Sequence, residues 1–213
     1  MTKIVLKNVS KEIKRNQVLK DISYTFKSGT IYGLQGRNGS GKTMLLRAIA
    51  GLIIPTGGEI SINNKVIGKD IEFPPSIGII IENMSLLPEY TAFENLKILS
   101  KIKKIASDDD INNALSIVGL DPYSKKKVRT FSLGMKQKLN IAQAIFENPD
   151  ILLLDEPTNA LDNETIKDIR GILIKMKSQG KVIIIASHNN EDLNILADEI
   201  IEIVNGCIIK EDY

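Results

Sequence analysis

Gly36-Arg37-Asn38-Gly39-Ser40-Gly41-Lys42-Thr43 lies between Ile31-Tyr32-Gly33-Leu34, an apolar run that reads as a buried strand, and Met44 to Ala50, a helical stretch closed by Gly51. The octet fits G-x-x-x-x-G-K-[ST] in the strand–loop–helix setting that a phosphate-binding loop requires. Its glycines let successive amide N–H groups turn inward on a phosphate, and the helix starting near Lys42 adds its positive dipole end. Lys42 supplies a cation for the β- and γ-phosphates, and the Thr43 hydroxyl a hard oxygen for Mg²⁺. The chain is expected to bind a nucleoside triphosphate. The loop alone does not separate a kinase from a GTPase or a transport ATPase.

Composition narrows the class. A chain of 213 residues is long for one compact domain and short for two, so one domain with an inserted subdomain is expected. Hydrophobic residues make up 43%, enough for a sizeable core, and a formal net charge of +2 offers no electrostatic footprint for nucleic acid. The single Cys207 rules out an intramolecular disulfide and suits a reducing compartment. No secretory signal opens the chain, and no apolar run approaches the ~20 residues of a membrane-spanning helix. A soluble protein is expected, reaching a membrane only through a partner.

Around the octet the periodicity changes twice. Thr2 to Val9 and Ile22 to Phe26 alternate as strands, and Pro55-Thr56-Gly57-Gly58 turns into another, Glu59 to Ile62. Ile77 to Ile81 reads as a fully buried strand. From there to about Asn148 the period is helical: Thr91 with Glu94 and Ser107 with Asp110 are capping boxes, and Ser132 caps a third helix reaching about Phe146. Buried strands then alternate with helices: Ile151 to Leu154, a helix capped by Asn163, Val182 to Ala186 and a short helix holding Leu193 and Leu196. A hairpin through Asn205-Gly206 closes the chain. The expected fold is α/β, a mostly parallel sheet core with an antiparallel β edge. Residues 1–82 and 149–213 form the core and β subdomain, and 83–148 an inserted helical subdomain.

Chemistry is concentrated in Ile151-Leu152-Leu153-Leu154-Asp155-Glu156-Pro157-Thr158. An apolar strand ending in an acid delivers it to the carboxyl edge of the sheet, where ligands of open α/β folds bind. Asp155 is placed to hold Mg²⁺, and Glu156, projecting in another direction, to polarise a water as general base. Hydrolysis is favoured over phosphoryl transfer to a second substrate.

Taken in order, these motifs resemble those of the ATP-binding-cassette (ABC) ATPases over essentially the whole chain. The resemblance rests on Gly36 to Thr43, Phe131-Ser132-Leu133-Gly134-Met135-Lys136-Gln137, Ile151 to Glu156, Asn159-Ala160-Leu161-Asp162, and His188, the one histidine, after a strand. The stretch from Phe131 is the family's signature. It departs from L-S-G-G-Q at Leu133 and Met135 but keeps Ser132 and Gly134. The resemblance implies two cassettes paired head to tail, with ATP and Mg²⁺ buried between one phosphate loop and the other chain's Ser132 and Gly134. It implies that His188 contacts the γ-phosphate and that Asp162 belongs to the loop facing the partner ATPase subunit. It also implies a transmembrane permease as partner, placing the chain at the cytoplasmic face of the membrane. Leu86, Leu87, Tyr90 and Phe93 are candidates for the permease surface.

Two departures carry further expectations. Glu82 stands where most members have a glutamine that touches Mg²⁺. With Leu86 to Leu96 and the signature stretch, this resembles the bacitracin- and lantibiotic-type peptide export and immunity subgroup. Ile13 stands where an aromatic residue usually stacks on adenine, implying weak base selectivity. A soluble ABC ATPase acting on DNA or the ribosome is the alternative. Such proteins usually carry two cassettes in one chain or a long coiled-coil insertion, and this chain has neither.

Overall fold

The computed structural model describes residues 1–81, 86–188 and 190–209, the side chains of 190–192 excepted. Glu82, and the link from Ile81 to Leu86, lie outside the described residues. The first two strands, β1 (Lys3–Ile13) and β2 (Asn16–Lys27), form a long antiparallel hairpin. Both run further than hydrophobic alternation predicts, because the hairpin tip is exposed and its pairing is carried by the backbone rather than by buried side chains. β4 (Gly57–Ile62) pairs with the other side of β1, and β5 (Lys65–Val66) with β4, completing an antiparallel sheet.

The larger sheet has the order β10-β9-β3-β8-β7-β6. It comprises β3 (Thr30–Gln35), β6 (Ile77–Ile80), β7 (Ile151–Asp155), β8 (Val182–Ser187), β9 (Glu199–Val204) and β10 (Cys207–Ile209). All pairings are parallel except β9 with β10. Alternation at period two divides each central strand between two cores. Ile151, Leu153, Val182, Ile184 and Ala186 face the antiparallel sheet and α1 (Lys42–Ile49). Leu152, Leu154, Ile183 and Ile185 face the opposite layer, which includes α5 (Asn163–Ser178) and α6 (Asn190–Leu196). Apolar residues on both faces are therefore what these strands require.

Between β6 and β7 the chain is helical. α2 (Ala92–Lys103) and α3 (Asp108–Ile117) each open on a complete capping box, at Thr91/Glu94 and Ser107/Asp110. α4 (Leu133–Ile145) is capped by Ser132, whose Oγ accepts from the Met135 N–H at 3.2 Å. It packs so closely on β6 that a Cβ at Gly78 would fall 1.8 Å from the Ala144 carbonyl oxygen. The cap of α5 corrects the sequence reading by one residue. Asp162, not Asn163, is the N-cap, accepting from the Thr165 N–H at 2.8 Å.

The register fixes where function can lie. Gln35 pairs with Ser187, and Asp155 with Ala186, so β3, β7 and β8 end at one level of the sheet. The loops leaving those three ends carry the phosphate-loop octet, Glu156 and His188.

Candidate active site

The octet forms a tight loop into α1, with Gly41 at φ 114° as the helix N-cap and its carbonyl accepting from the Leu45 N–H. Lys42 is buried, its Nζ donating to the Gly36 carbonyl at 2.5 Å and the Arg37 carbonyl at 3.2 Å. Arg37, Asn38 and Gly39 form the exposed rim. Thr43 Oγ1 donates to Asp155 Oδ2 at 2.6 Å, joining the first helix to the end of β7. Val18, residues 38–44, Asp155 and Glu156 line a cavity of about 440 Å³.

This cavity fits a nucleotide's phosphates and a small hard cation. Ser40 Oγ is buried with no hydrogen-bond partner among the described residues, and nothing lies within 4 Å of where a Gly39 Cβ would stand. A hydroxyl and one carboxylate meet at Thr43 and Asp155. Among the described residues no cluster of three or more His, Cys, Asp or Glu could enclose a metal. That donor set suits Mg²⁺, which keeps waters and takes substrate phosphates rather than an all-protein cage.

Glu156 leaves the strand direction at once. Its φ of 50° turns its side chain away from the course of Asp155, and its N–H donates to the Ala186 carbonyl. Its Oε1 accepts from the His188 backbone N–H at 2.9 Å and lies 2.7 Å from His188 Nδ1, while Oε2 accepts from Ser187 Oγ at 3.2 Å. The carboxylate is thus held by three groups at the end of β8, at the mouth of the phosphate cavity.

Ser132 and Leu133 are exposed at the open end of α4, Leu133 by 70%. A Cβ at Gly134 would approach the Ala160 carbonyl to 3.2 Å, so a small residue there lets α4 lie against the 159–162 loop. Gln137 was not singled out from sequence. Its Nε2 donates to the Pro157 carbonyl at 2.9 Å, and with Leu133, Asp155, Glu156, Asn159 and Ala160 it lines a second cleft of about 530 Å³. Asp162 is exposed, and the Thr165 N–H and hydroxyl hold its carboxyl below the usual range. Ile13 stands at the end of β1, 37% exposed, and does not line the phosphate cavity, whereas Val18 does. Sequence offered no sign of Val18, which lies before the strand read at Ile22 to Phe26. Of the apolar candidates for the permease surface, Leu87 and Tyr90 are exposed, while Leu86 and Phe93, the latter within α2, pack against the core.

A phosphate loop, a strand-end Asp-Glu pair and an α4 whose capped N-terminus opens to solvent define a nucleoside triphosphatase of the cassette type. The family described as "ABC transporter" matches residues 19–159, and the chain belongs to that family. It is an ATP-binding subunit and an ATPase, with ATP and Mg²⁺ as its nucleotide and cation.

The chain is 61% identical over 199 residues to the uncharacterized ABC transporter ATP-binding protein YybJ of Bacillus subtilis (strain 168), covering 93% of this chain and 91% of that one. It is 41% identical to the bacitracin transport ATP-binding protein BcrA of Bacillus licheniformis, over 89% of this chain and 63% of BcrA. It is 35% identical to the lantibiotic transport ATP-binding protein SrtF of Streptococcus pyogenes, over 97% and 89%. Among solved structures, the dimeric bacterial cassette MJ0796 superposes with a TM-score of 0.88 at 28% identity, covering 97% of each chain. A second MJ0796 dimer, in a post-hydrolysis state bound to ADP and Pi, gives 0.87 at 27%, over 98% of this chain and 97% of that one. Among the described residues no helix is long and apolar enough to cross a membrane.

Proposed function

We propose that this chain works as one of two cassettes that close on ATP and drive a separate membrane permease exporting, or conferring immunity to, a peptide antibiotic. The observation that carries the catalytic part is the convergence of Lys42, Thr43, Asp155 and a His188-bound Glu156 on one cavity. The dimer is supported by the solvent-facing N-terminus of α4 and by the likeness to dimeric MJ0796. The peptide assignment is supported by the names of BcrA and SrtF.

In this reading the amides from Gly36 to Thr43 and the Lys42 ammonium bind the phosphates. Thr43 and Asp155 hold Mg²⁺, with Glu82 as a further oxygen donor. When bound, the cation neutralises charge developing on the phosphate oxygens. Glu156 takes a proton from the attacking water as its oxygen bonds to the γ-phosphorus and the bond to the ADP oxygen breaks. His188 orients Glu156 and contacts the γ-phosphate. The positions of Ser132 and Gly134 in the second cassette, identical to this chain or not, close the site with the N–H groups of its α4, with that of Asp162 beside them. Ile13 and Val18 offer the base an aliphatic surface.

Residues 83–148 form the helical lobe, and 1–82 with 149–213 the core. A cytoplasmic helix of the permease docks on Leu87 and Tyr90, holding the chain at the cytoplasmic face of the membrane. The segment carrying them is ordered by Asn95, whose side chain bonds both the Leu87 N–H and its carbonyl. A Lys42→Ala substitution in a strain that carries the chain should lower resistance to bacitracin- or lantibiotic-type peptides to the level of a strain lacking it. Unchanged resistance to every peptide of these two types, with ATPase activity lost, would overturn the peptide assignment and leave the ATPase assignment standing.

A further inference from the structure

We infer that Gly206, in the turn between β9 and β10, is a positioning residue that sets the backbone of the phosphate loop. Its N–H donates to the Ser40 carbonyl at 2.8 Å, and its own carbonyl accepts from the Lys20 N–H at 2.8 Å. One residue of the turn, through its two flanking peptides, thus bridges the loop to β2. The Ser40 carbonyl and the Gly41 N–H belong to a single planar trans peptide, in which the two groups point in opposite directions. Tethering that carbonyl to Gly206 therefore aims the Gly41 N–H away from the turn, and Gly41 lines the phosphate cavity.

Sterics restrict the same contacts. Gly206 has φ 82°, and a Cβ there would stand 2.7 Å from the Val18 carbonyl oxygen. At Gly41 a Cβ would meet the same oxygen at 3.0 Å and the Gly206 Cα at 3.4 Å. At Gly36 it would fall 2.3 Å from the Ile203 carbonyl of β9. The hairpin therefore supports the loop at its first glycine and at its last. Holding an amide in its bound direction before the phosphate arrives strengthens ground state and transition state alike, which raises affinity and leaves turnover nearly unchanged.

The test compares Gly206→Ala with Gly180→Ala, because Gly180 has nearly the same φ, 79°, but nothing within 4 Å of an added Cβ. Steady-state ATP hydrolysis, equilibrium binding of Mg·ADP and thermal unfolding are measured for both. Gly206→Ala should raise the KM for ATP and the Kd for ADP about tenfold, the worth of one charge-assisted hydrogen bond, with kcat within about twofold. Gly180→Ala should lower the Tm without moving either constant. Wild-type affinity in Gly206→Ala, or equal weakening in Gly180→Ala, would overturn the inference.

Amide exchange in the wild-type protein tests it without any variant. Mg·ADP should slow exchange at the Gly206 N–H more than at the Ile208 N–H of the same hairpin, and equal slowing would overturn it. The inference rests on the loop being the ATP phosphate site. Failure of the wild-type chain to bind Mg·ADP at all would overturn that assignment too, which is distinguishable from binding that Gly206→Ala leaves unchanged.

Discussion

At the scale of single residues, the proposed site joins a strong phosphate end to a weak base end. Lys42, Thr43 and Asp155 lie within hydrogen-bonding distance of one another or of loop carbonyls, whereas the base is proposed to meet only the aliphatic Ile13 and Val18. An aliphatic side chain buries a purine face but forgoes the ~1 kcal/mol that an aromatic pair adds beyond burial. GTP should therefore compete measurably with ATP, and Ile13→Tyr should tighten ATP binding by about fivefold. A competition titration checks both, and strong ATP preference in the wild-type chain would count against the role of Ile13. Gly36 to Thr43, Asp155 and Glu156 were legible as candidates because each sits in a short pattern whose chemistry is local, whereas His188 entered through the family resemblance. Gln137 was legible only as the end of the signature stretch, and Val18 and Gly206 not at all as site residues, because their place there depends on which distant strand or loop the fold brings against them.

At the scale of elements, caps separate structural from functional serines. Ser107 and Ser132 both accept an N–H from the first turn of a helix, so replacing either by alanine should cost about 1 kcal/mol. Ser132 also stands at the exposed end of α4, facing the proposed second cassette. Urea unfolding should show similar losses for Ser107→Ala and Ser132→Ala, while ATP turnover falls only in Ser132→Ala. Equal turnover in the two would remove Ser132 from the site. The capping boxes could be read from sequence because cap and third residue lie in one short window. The α5 cap was read one residue late, since Asp162 and Asn163 are both capable caps and only the position of Thr165 decides between them. The tips of β1 and β2 were missed because exposed residues on both faces leave no alternation to read.

At the scale of the molecule, the sheet was legible as continuous apolar strands interrupted by helices, but its order was not. Strand order depends on crossovers, and it is the order that places the ends of β3, β7 and β8 side by side. One tie that keeps β3 in place is Asp198, between α6 and β9. Partial burial raises its pKa, but the Ile31 N–H at 2.8 Å and the Lys177 ammonium outweigh this and hold it below the usual carboxylate value. A depressed folded pKa means stability that is present above the unfolded value of about 4 and is lost as pH falls through the folded one. With over a third of its side chain exposed and screened, Asp198→Asn should cost about 1 kcal/mol at neutral pH. Urea midpoints of the variant and wild type should differ at pH 7, begin to draw together at about pH 4 and meet only below the depressed folded value. Gel filtration of the Glu156→Gln variant with ATP and Mg²⁺, beside its turnover, asks whether Glu156 is the base of a site that a second cassette's α4 closes. Turnover should fall by about 10²–10⁴ and an ATP-dependent dimer should form; a variant that hydrolyses ATP at the wild-type rate and stays monomeric would rule out both.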